Sequence, residues 1–422
     1  YIAYLFGHDT SSDGIIQCGT FDTDSSGNYD GSTALGFEPQ WLMVKAASTS
    51  GHWFIHDSLR GISDVTMTYL LANSTNAESS FSADRLRLTS QGFVFEGSHL
   101  EASDTYIYMA IAKGPMATPT SRASVFAVTN ETSATLNDSP PFKQVSNFPV
   151  DFVINKMVGA SSSWWSASRI TNARLQLEST AAETSVASTH EFDHNDGVAV
   201  AGLYGATNFM GYMFRRAPEF FDVVTYDGDG GVSTVQPHNL TVVPEMIWYK
   251  ARSEVGNWGF YHKDLVSTQR QVYLNLDHAG TQSYGSFIAP TTTQFAVGGN
   301  ACAGGTNNTN KSGEKYVAFL FATLSGISKV GSFSHTNGSS TDVACGFSSG
   351  SAMVIVKRTD ATGDWFVWDS ARGIVAGDDP YMLFTSTAAE VTNTDYIDPL
   401  NSGFQIASGF TTGDYIFYAI AA

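Results

Sequence analysis

Short apolar runs, each closed by Gly, Asn, Asp or Ser, make up most of this 422-residue chain. Early examples are Ile15-Ile-Gln-Cys-Gly-Thr-Phe21, Gly92-Phe-Val-Phe95 and Tyr106-Ile-Tyr-Met-Ala-Ile111. Runs this short, rich in β-branched and aromatic residues and bounded by turn formers, predict β-strands. Between about residues 14 and 116 roughly seven of them follow at near-regular spacing, which favours an antiparallel β-sandwich or jelly roll.

One motif occurs twice with little change. It reads Gly51-His-Trp-Phe-Ile-His-Asp-Ser-Leu-Arg-Gly-Ile62 and returns as Gly363-Asp-Trp-Phe-Val-Trp-Asp-Ser-Ala-Arg-Gly-Ile374. A looser copy, Gly256-Asn-Trp-Gly-Phe-Tyr-His262, lies between them, and Trp164-Trp-Ser-Ala-Ser-Arg169 stands where a fourth copy is expected. The chain therefore consists of four copies of a module of about 105 residues, a period too long for a solenoid.

The predicted fold class is all-β, with tandem antiparallel β-sandwich modules of a jelly-roll-like kind. The modules are predicted at residues 14–116, 117–217, 218–325 and 326–422 and are called modules 1 to 4 below. Module 2 is the most divergent. Residues 1–13 contain Tyr1-Ile-Ala-Tyr-Leu-Phe6, which is similar to closing strands such as Tyr316-Val-Ala-Phe-Leu-Phe321, and are interpreted as the closing strand of a preceding module.

Composition excludes several classes of partner. The chain has 40 acidic and 22 basic residues and a formal net charge of −18, which repels phosphate backbones and anionic membranes. Neither a nucleic acid nor a membrane is an expected partner. Cys18, Cys302 and Cys345 form no CxxC pair, which favours small buried side chains over a zinc site.

Repeated aromatic and charged residues are candidates for the core of each module. Their constant place in the repeat favours packing over sugar stacking for the four tryptophans, which are Trp53, Trp165, Trp258 and Trp365. Asp57 with Arg60, and Asp369 with Arg372, are interpreted as turn-capping aspartates with a local ion pair, in preference to a catalytic acid and its clamp.

The loop Asp22-x-Asp-x-Ser-Gly27, with Asp30 beyond it, is similar to the start of an EF-hand loop. Thr33 stands where the bidentate Glu is required, so a hairpin turn is favoured. Asp22, Asp24 and Asp30 remain a candidate calcium site, and no other cofactor is expected.

No motif places a catalytic centre. Gly346-Phe-Ser-Ser-Gly350 has the nucleophile-elbow pattern around Ser348, but a predicted strand follows it where an elbow needs a helix. His52 and His56 lie on one strand face without a third metal ligand in view. The chain is predicted not to be an enzyme.

Long segments resemble a family of uncharacterised repeat domains found in virion structural and tail-associated proteins of marine tailed bacteriophages. They are Gly36-Phe-Glu-Pro-Gln-Trp-Leu-Met-Val-Lys45, Gly51-His-Trp-Phe-Ile-His-Asp-Ser58, Tyr106-Ile-Tyr-Met-Ala-Ile-Ala-Lys-Gly-Pro115, Tyr212-Met-Phe-Arg-Arg-Ala-Pro-Glu-Phe-Phe221 and Thr359-Asp-Ala-Thr-Gly-Asp-Trp-Phe-Val-Trp-Asp-Ser-Ala-Arg-Gly373.

The resemblance implies a non-enzymatic tail fibre, head fibre or decoration protein, located in the virion and outside the cell. It implies other copies of the chain as partners, in an oligomer such as a trimer, together with other virion proteins and, in host attachment, a surface glycan.

Two other classes of function stay open on the residues alone. A secreted carbohydrate-binding adhesin or surface-layer protein predicts an aromatic-lined cleft repeated in each module. A glycoside hydrolase predicts two carboxylates facing each other across a groove, and no motif assigns such a pair.

Overall fold

Antiparallel β-sheets dominate the chain. The computed structural model describes residues 2–11, 14–31, 34–62, 67–81, 85–97, 99–113, 118–131, 142–185, 190–200, 208–265, 270–282, 288–298 and 309–422. The sheets of these residues are antiparallel and pack as β-sandwiches. The predicted all-β fold class is confirmed.

Module 1 has one large sheet and one hairpin. Its strands are β1 (Ile16–Asp22), β2 (Pro39–Ala46), β3 (Phe54–Asp57), β4 (Met67–Leu71), β5 (Ser79–Phe81), β6 (Arg85–Thr89), β7 (Gly92–Glu96) and β8 (Thr105–Ala112). The large sheet has the order β1-β8-β2-β3-β4-β5, and β6 pairs with β7. Phe21, Val44, Phe93 and Tyr108 are among the residues that fill the core of this module.

Module 2 begins with a short 3₁₀-helix, Arg122–Ser124. Its strands are β9 (Phe126–Glu131), β10 (Phe142–Val145), β11 (Phe152–Met157), β12 (Trp165–Ser168), β13 (Ala173–Gln176), β14 (Thr184–Ser185), β15 (His190–Glu191), β16 (Gly197–Val200) and β17 (Phe209–Phe214). The sheets have the orders β14-β13-β12-β11-β17-β9 and β10-β16-β15.

Modules 3 and 4 repeat this plan. Module 3 contains β18 (Phe221–Asp227), β19 (Thr234–Pro237), β20 (Met246–Ala251), β21 (Gly259–His262), the 3₁₀-helix Lys263–Leu265, β22 (Arg270–Gln271), β23 (Thr281–Gln282), β24 (Gln294–Val297) and β25 (Lys315–Phe321). Module 4 contains β26 (Ser328–His335), β27 (Thr341–Ala344), β28 (Ser351–Arg358), β29 (Trp365–Asp369), β30 (Met382–Leu383), β31 (Ile397–Leu400), β32 (Gly403–Ile406) and β33 (Gly413–Ala421).

The same strand order recurs in the four stretches of chain. The central sheets read β1-β8-β2-β3, β9-β17-β11-β12, β18-β25-β20-β21 and β26-β33-β28-β29. In each, the closing strand lies between the first strand and the strand that precedes the tryptophan motif. The smaller sheet of each sandwich is β6-β7, β10-β16-β15, β19-β24 or β27-β32-β31. Each closing strand is therefore held on both edges, with its inner face in the core.

The chain forms two compact units. Unit 1 consists of Tyr1–Ala117, Ser168–Ala173 and Phe192–His194. Unit 2 consists of Thr118–Ala167, Arg174–Glu191 and Asn195–Ala422, and so contains modules 3 and 4 with most of module 2. The residue limits of the four modules stay predictions.

The strand expected at the start of the chain is not formed. Residues 2–11 have no strand, and Ile2, Tyr4 and Leu5 are exposed. A strand needs partners for its backbone N–H and C=O groups, whereas the hydrogen bonds of this segment to β1 are the two that join Asp9 N to Ile16 O and Cys18 N to His8 Nδ1. The interpretation of residues 1–13 as the closing strand of a preceding module stays a prediction.

A buried carboxyl in module 4 gives a pH-dependence prediction. Asp379 is fully buried, and its Oδ1 accepts the Val375 N–H at 2.7 Å. Burial, with the carboxylates of Asp398 and Asp395, raises the pKa of Asp379 to about 7. Since an unfolded aspartate has a pKa of about 3.9, the folded state holds this proton more tightly, and its contribution to stability is lost as the pH rises towards 7.

We expect Asp379→Asn to melt at the same temperature as the unmodified chain at about pH 3, below the unfolded pKa, and at a higher temperature at pH 8. Calorimetric melting of both proteins at the two pH values checks this. An equal difference in melting temperature at both pH values would contradict the assignment.

Candidate functional site

Each central sheet has an outer face, turned away from its own module's core, and the modules differ in how far this face is buried. Residues directly opposite in an antiparallel pair share a face, so β2 and β8 place Lys45 beside Ile107, with Trp41 and Met109 further along. The equivalent pairs are Lys156 with Met210, Lys250 with Val317 and Lys357 with Ile416. This outer face is buried in modules 2 to 4 and partly open in module 1.

Three equivalent lysines are buried in the outer faces of unit 2. Lys357 Nζ donates to the carbonyl oxygens of Gly363 at 2.6 Å, His278 at 3.0 Å and Asp277 at 3.1 Å. The other two have the same pattern, one carbonyl from their own module and one from a neighbour. Lys250 donates to Gly256 and Thr180, and Lys156 donates to Ser162 and Thr387.

Burial lowers the pKa of each of these lysine amines to about 8. At neutral pH the ammonium groups remain charged, and the carbonyl dipoles around them take the place of water. The lysines therefore hold main-chain segments of two modules together.

A tryptophan donates across the same boundary in each case. The indole Nε1 of Trp258 donates to Gln176 O at 2.9 Å, that of Trp365 to Tyr273 O at 2.9 Å, and that of Trp164 to Leu383 O at 2.7 Å. All three tryptophans are buried. The bulk of each ring excludes water from the boundary while its polar edge is satisfied.

Main-chain hydrogen bonds between equivalent residues also join the two modules at each boundary. The loop N–H of Ser162, Gly256 or Gly363 donates to the carbonyl that the neighbouring lysine also uses. In the reverse direction, Glu390 N donates to Val158 O, Glu183 N to Arg252 O and Gly280 N to Thr359 O. We call the lysine, tryptophan and loop N–H the donor side of a module, and the turn that receives them the acceptor side.

The three boundaries close into a ring. The donor side of module 2 contacts the acceptor side of module 4, that of module 4 contacts module 3, and that of module 3 contacts module 2. Head-to-tail contacts form a closed ring when their rotation closes, and here it closes after three modules. Within unit 2 no donor or acceptor side of these three modules is left without a partner.

A buried ion pair lies at one of these boundaries. The Asp369 carboxylate accepts Arg372 Nε at 2.7 Å and, from module 2, the Tyr212 hydroxyl at 2.7 Å. Burial, and then the charge of Asp369, raises the pKa of Tyr212, so the phenol stays protonated and donates. Asp369 also caps its own turn through Arg372 N at 2.9 Å. The predicted turn cap is present and also joins two modules.

The tryptophan predicted for module 2 is wrong by one residue. Trp164, not Trp165, occupies the position of Trp258 and Trp365. Trp165 is half-buried, with the Arg174 guanidinium 4.0 Å from the centre of its ring. A slip of one residue moves a side chain to the opposite face of a strand, so the two rings have different surroundings.

In module 1 the tryptophan motif has the same turn geometry as in module 4, but its side chains are less buried. Asp57 Oδ1 accepts Arg60 N at 2.8 Å, and Asp57 and Arg60 form an ion pair. The side chains of this pair are 20% and 29% exposed, against 0% and 2% for Asp369 and Arg372. Trp53 is half-buried.

The candidate calcium loop is an aspartate-capped turn. The Asp24 carboxylate accepts Ser26 N at 2.7 Å and Asn28 N at 2.9 Å, and the hydrogen bond from the Asn28 side chain contributes most to lowering its pKa. Gly27 has φ of +84°, and a Cβ there would lie 2.4 Å from Leu100 O. Thr33 lies outside the described residues. Asp22, Asp24 and Asp30 do not form a group of converging metal ligands in the described part of the chain.

Other candidates lie apart from the boundaries. Ser348 is exposed in the turn before β28, with Oγ 3.4 Å from Ser349 Oγ. His56 is buried beside Phe95, and burial lowers its pKa to about 3, whereas His52 is exposed. Cys18 and Cys345 are free thiols, and Cys302 is outside the described residues.

The lysines were not singled out from the sequence, although a signal was present. Each stands at a constant distance before its tryptophan, as in Lys357 and Trp365 or Lys250 and Trp258. The acceptors are main-chain carbonyls, which no residue type marks.

Comparisons with known proteins identify a family whose function is unknown. A family model described as a domain of unknown function, DUF7483, matches residues 1–115 and 216–422. The unmatched stretch corresponds to module 2. No curated protein and no solved structure matches the chain significantly. Among the described residues, no helix has the length and apolar character needed to cross a membrane. The chain belongs to the DUF7483 family, a domain of unknown function.

Proposed function

We propose that this chain is a non-enzymatic structural protein of a tailed-bacteriophage virion, such as a tail fibre, head fibre or decoration protein, with host attachment as a further role. Other copies of the chain and other virion proteins are its partners, and a host surface glycan is the ligand in attachment.

The proposal rests on one observation: the repeated tryptophans, lysines and aspartate form hydrogen bonds that join neighbouring modules. Trp258 and Trp365 donate to main-chain carbonyls of a neighbouring module, and Lys250 and Lys357 do the same. Asp369 is occupied by Arg372 and Tyr212. Side chains held in this way pack and join modules, and are not aimed at a substrate in a cleft.

The charge of the chain supports the same proposal. A net charge of −18 keeps a protein soluble outside the cell and gives no attraction to nucleic acid. Within unit 2, the modules are joined through buried aromatic residues and main-chain bonds into one compact unit, which suits a part that projects a surface.

Localisation tests the proposal. Lysates of the source culture are separated on a density gradient, and antibodies against the chain are used for immunoblotting and immunogold electron microscopy. We expect the chain to sediment with tailed particles, and gold to label the tail or capsid surface. Recovery on cell envelopes, or free in the medium and away from particles, would contradict the virion assignment and favour the adhesin or surface-layer alternative.

A further inference from the structure

Module 1 has an open outer face where the other modules have a buried one. Ile107 on β8 is 39% exposed, whereas the equivalent Met210, Val317 and Ile416 are 0%, 0% and 2% exposed. Along β8 the side chains alternate between buried and more exposed, while β17 is buried throughout. Half-buried Trp41, Met43, Met109 and Ile111 extend this apolar face.

The donor side of module 1 is complete, and the hydrogen bonds of its lysine stay within module 1. Lys45 Nζ donates to the carbonyls of Ala46 and Thr49, both in its own module. Within the described part of the chain, the Trp53 indole N–H has no hydrogen-bond acceptor. The corresponding groups of Lys357 and Trp365 donate to module 3.

The acceptor side of module 1 is also complete. Leu71 pairs with Phe54 as Leu383 pairs with Phe366, so the carbonyl of Leu71 has the position that receives an indole N–H in module 4. The segment Ser74-Thr-Asn-Ala-Glu78 then repeats Ser386-Thr-Ala-Ala-Glu390. Thr75 and Glu78 are exposed, whereas in module 4 Thr387 O and Glu390 N bond to module 2.

We propose that module 1 forms the same three-membered ring with module 1 of two further copies of this chain. The partner must present an acceptor side to Lys45 and Trp53 and a donor side to Leu71 and Thr75. Modules 2 to 4 already use both of their sides on one another. Another module 1 therefore supplies what is missing.

The number of copies follows from the geometry of the ring in unit 2. A head-to-tail contact of one kind has a fixed rotation, and the contact between these sandwiches closes after three. The apolar side chains of Ile107 and Met109 correspond to the buried Met210 and Tyr212, so the ring between copies buries them too. The chain is accordingly a homotrimer with a ring between copies and a ring within each copy.

Native mass spectrometry and light scattering of the purified 422-residue chain, over a range of concentrations, test this inference. We expect three times the mass of one chain. Ile107→Asp puts a charge on the outer face that the ring buries and is expected to give a monomer. Val235→Asp is the matched control, because Val235 on β19 is also 39% exposed but lies on the smaller sheet of module 3. It is expected to stay trimeric.

A milder variant guards against misfolding. Lys45→Met keeps most of the length of the side chain and removes the ammonium group, and we expect the concentration of half-dissociation to rise at least about tenfold. Circular dichroism and melting curves establish that each variant is folded. If Ile107→Asp does not fold, the Lys45→Met result decides.

A monomer or dimer at every concentration would overturn the inference, as would a trimer unaffected by Lys45→Met and by folded Ile107→Asp. The trimer rests on the proposed function, which already names other copies of the chain as partners. Their failures are distinguishable, because the mass measurement concerns the purified chain and the density gradient concerns its location.

Discussion

Replacing Asp369 by alanine is expected to destabilise unit 2 by about 3–5 kcal/mol. Arg372, which is 2% exposed, would keep only the longer of its ion pairs, the 3.7 Å contact with Glu390, and the Tyr212 hydroxyl would lose its acceptor. A buried charge without its partner retains the full cost of leaving water, which is why breaking such a pair costs more than the pair contributes.

Asp57→Ala in module 1 is the matched control for Asp369→Ala. Both aspartates cap the turn through the N–H of an arginine three residues on, at 2.8 Å for Arg60 and 2.9 Å for Arg372. The partly exposed pair of module 1 is screened by water, and its loss is expected to cost about 1 kcal/mol. Urea unfolding of the two variants measures both effects, and equal losses would show that burial at the module boundary contributes nothing.

Trp164→Ala is expected to cost about 3–5 kcal/mol, and the adjacent Trp165→Ala about 1 kcal/mol. Trp164 is fully buried, donates to Leu383 O and lies 4.8 Å from the Phe384 ring, centre to centre. Trp165 is half-buried and has a cation–π contact with Arg174. Removing the first ring leaves a cavity between two modules, whereas removing the second opens a surface site to water.

Melting temperatures of these two single variants, measured under identical conditions, give the comparison. The two substitutions delete the same side chain at neighbouring positions, so intrinsic strand preference is nearly matched. A larger effect from Trp165→Ala would mean that the boundary depends on the ring originally predicted from the sequence.

The fold class could be predicted because strands and turns each require particular residue types at neighbouring positions in the sequence. A sandwich strand needs apolar residues and a turn needs Gly, Asn or Asp, as Gly92-Phe-Val-Phe95 and the Asp24–Gly27 turn illustrate. Sequence similarity also locates the tryptophan motif. The motif residues alone did not decide between Trp164 and Trp165, although the spacing of Lys156 to Trp164 equals that of Lys357 to Trp365 and marks the right ring. A slip of one residue places the other ring on the opposite face of the strand.

The closing strands are apolar on both faces, and this pattern can have two causes. The runs in β25 and β33 are apolar on both faces, which predicts a strand in the middle of a sandwich. The structure gives another cause, since the second face is covered by a neighbouring module. Residues such as Phe319 and Tyr418 are buried for that reason. A sequence read one module at a time does not contain this information.

Because the acceptors at the module boundaries are main-chain carbonyls, the residue type at an acceptor position can change without loss of the hydrogen bond. Gln176, Tyr273 and Leu383 occupy one structural position with unrelated side chains, yet each offers the same oxygen to a tryptophan. Substitutions at such sites leave the bond to the indole intact. Each acceptor turn can therefore change on its own, which accounts for a module 2 that lies outside the family match but still closes the ring.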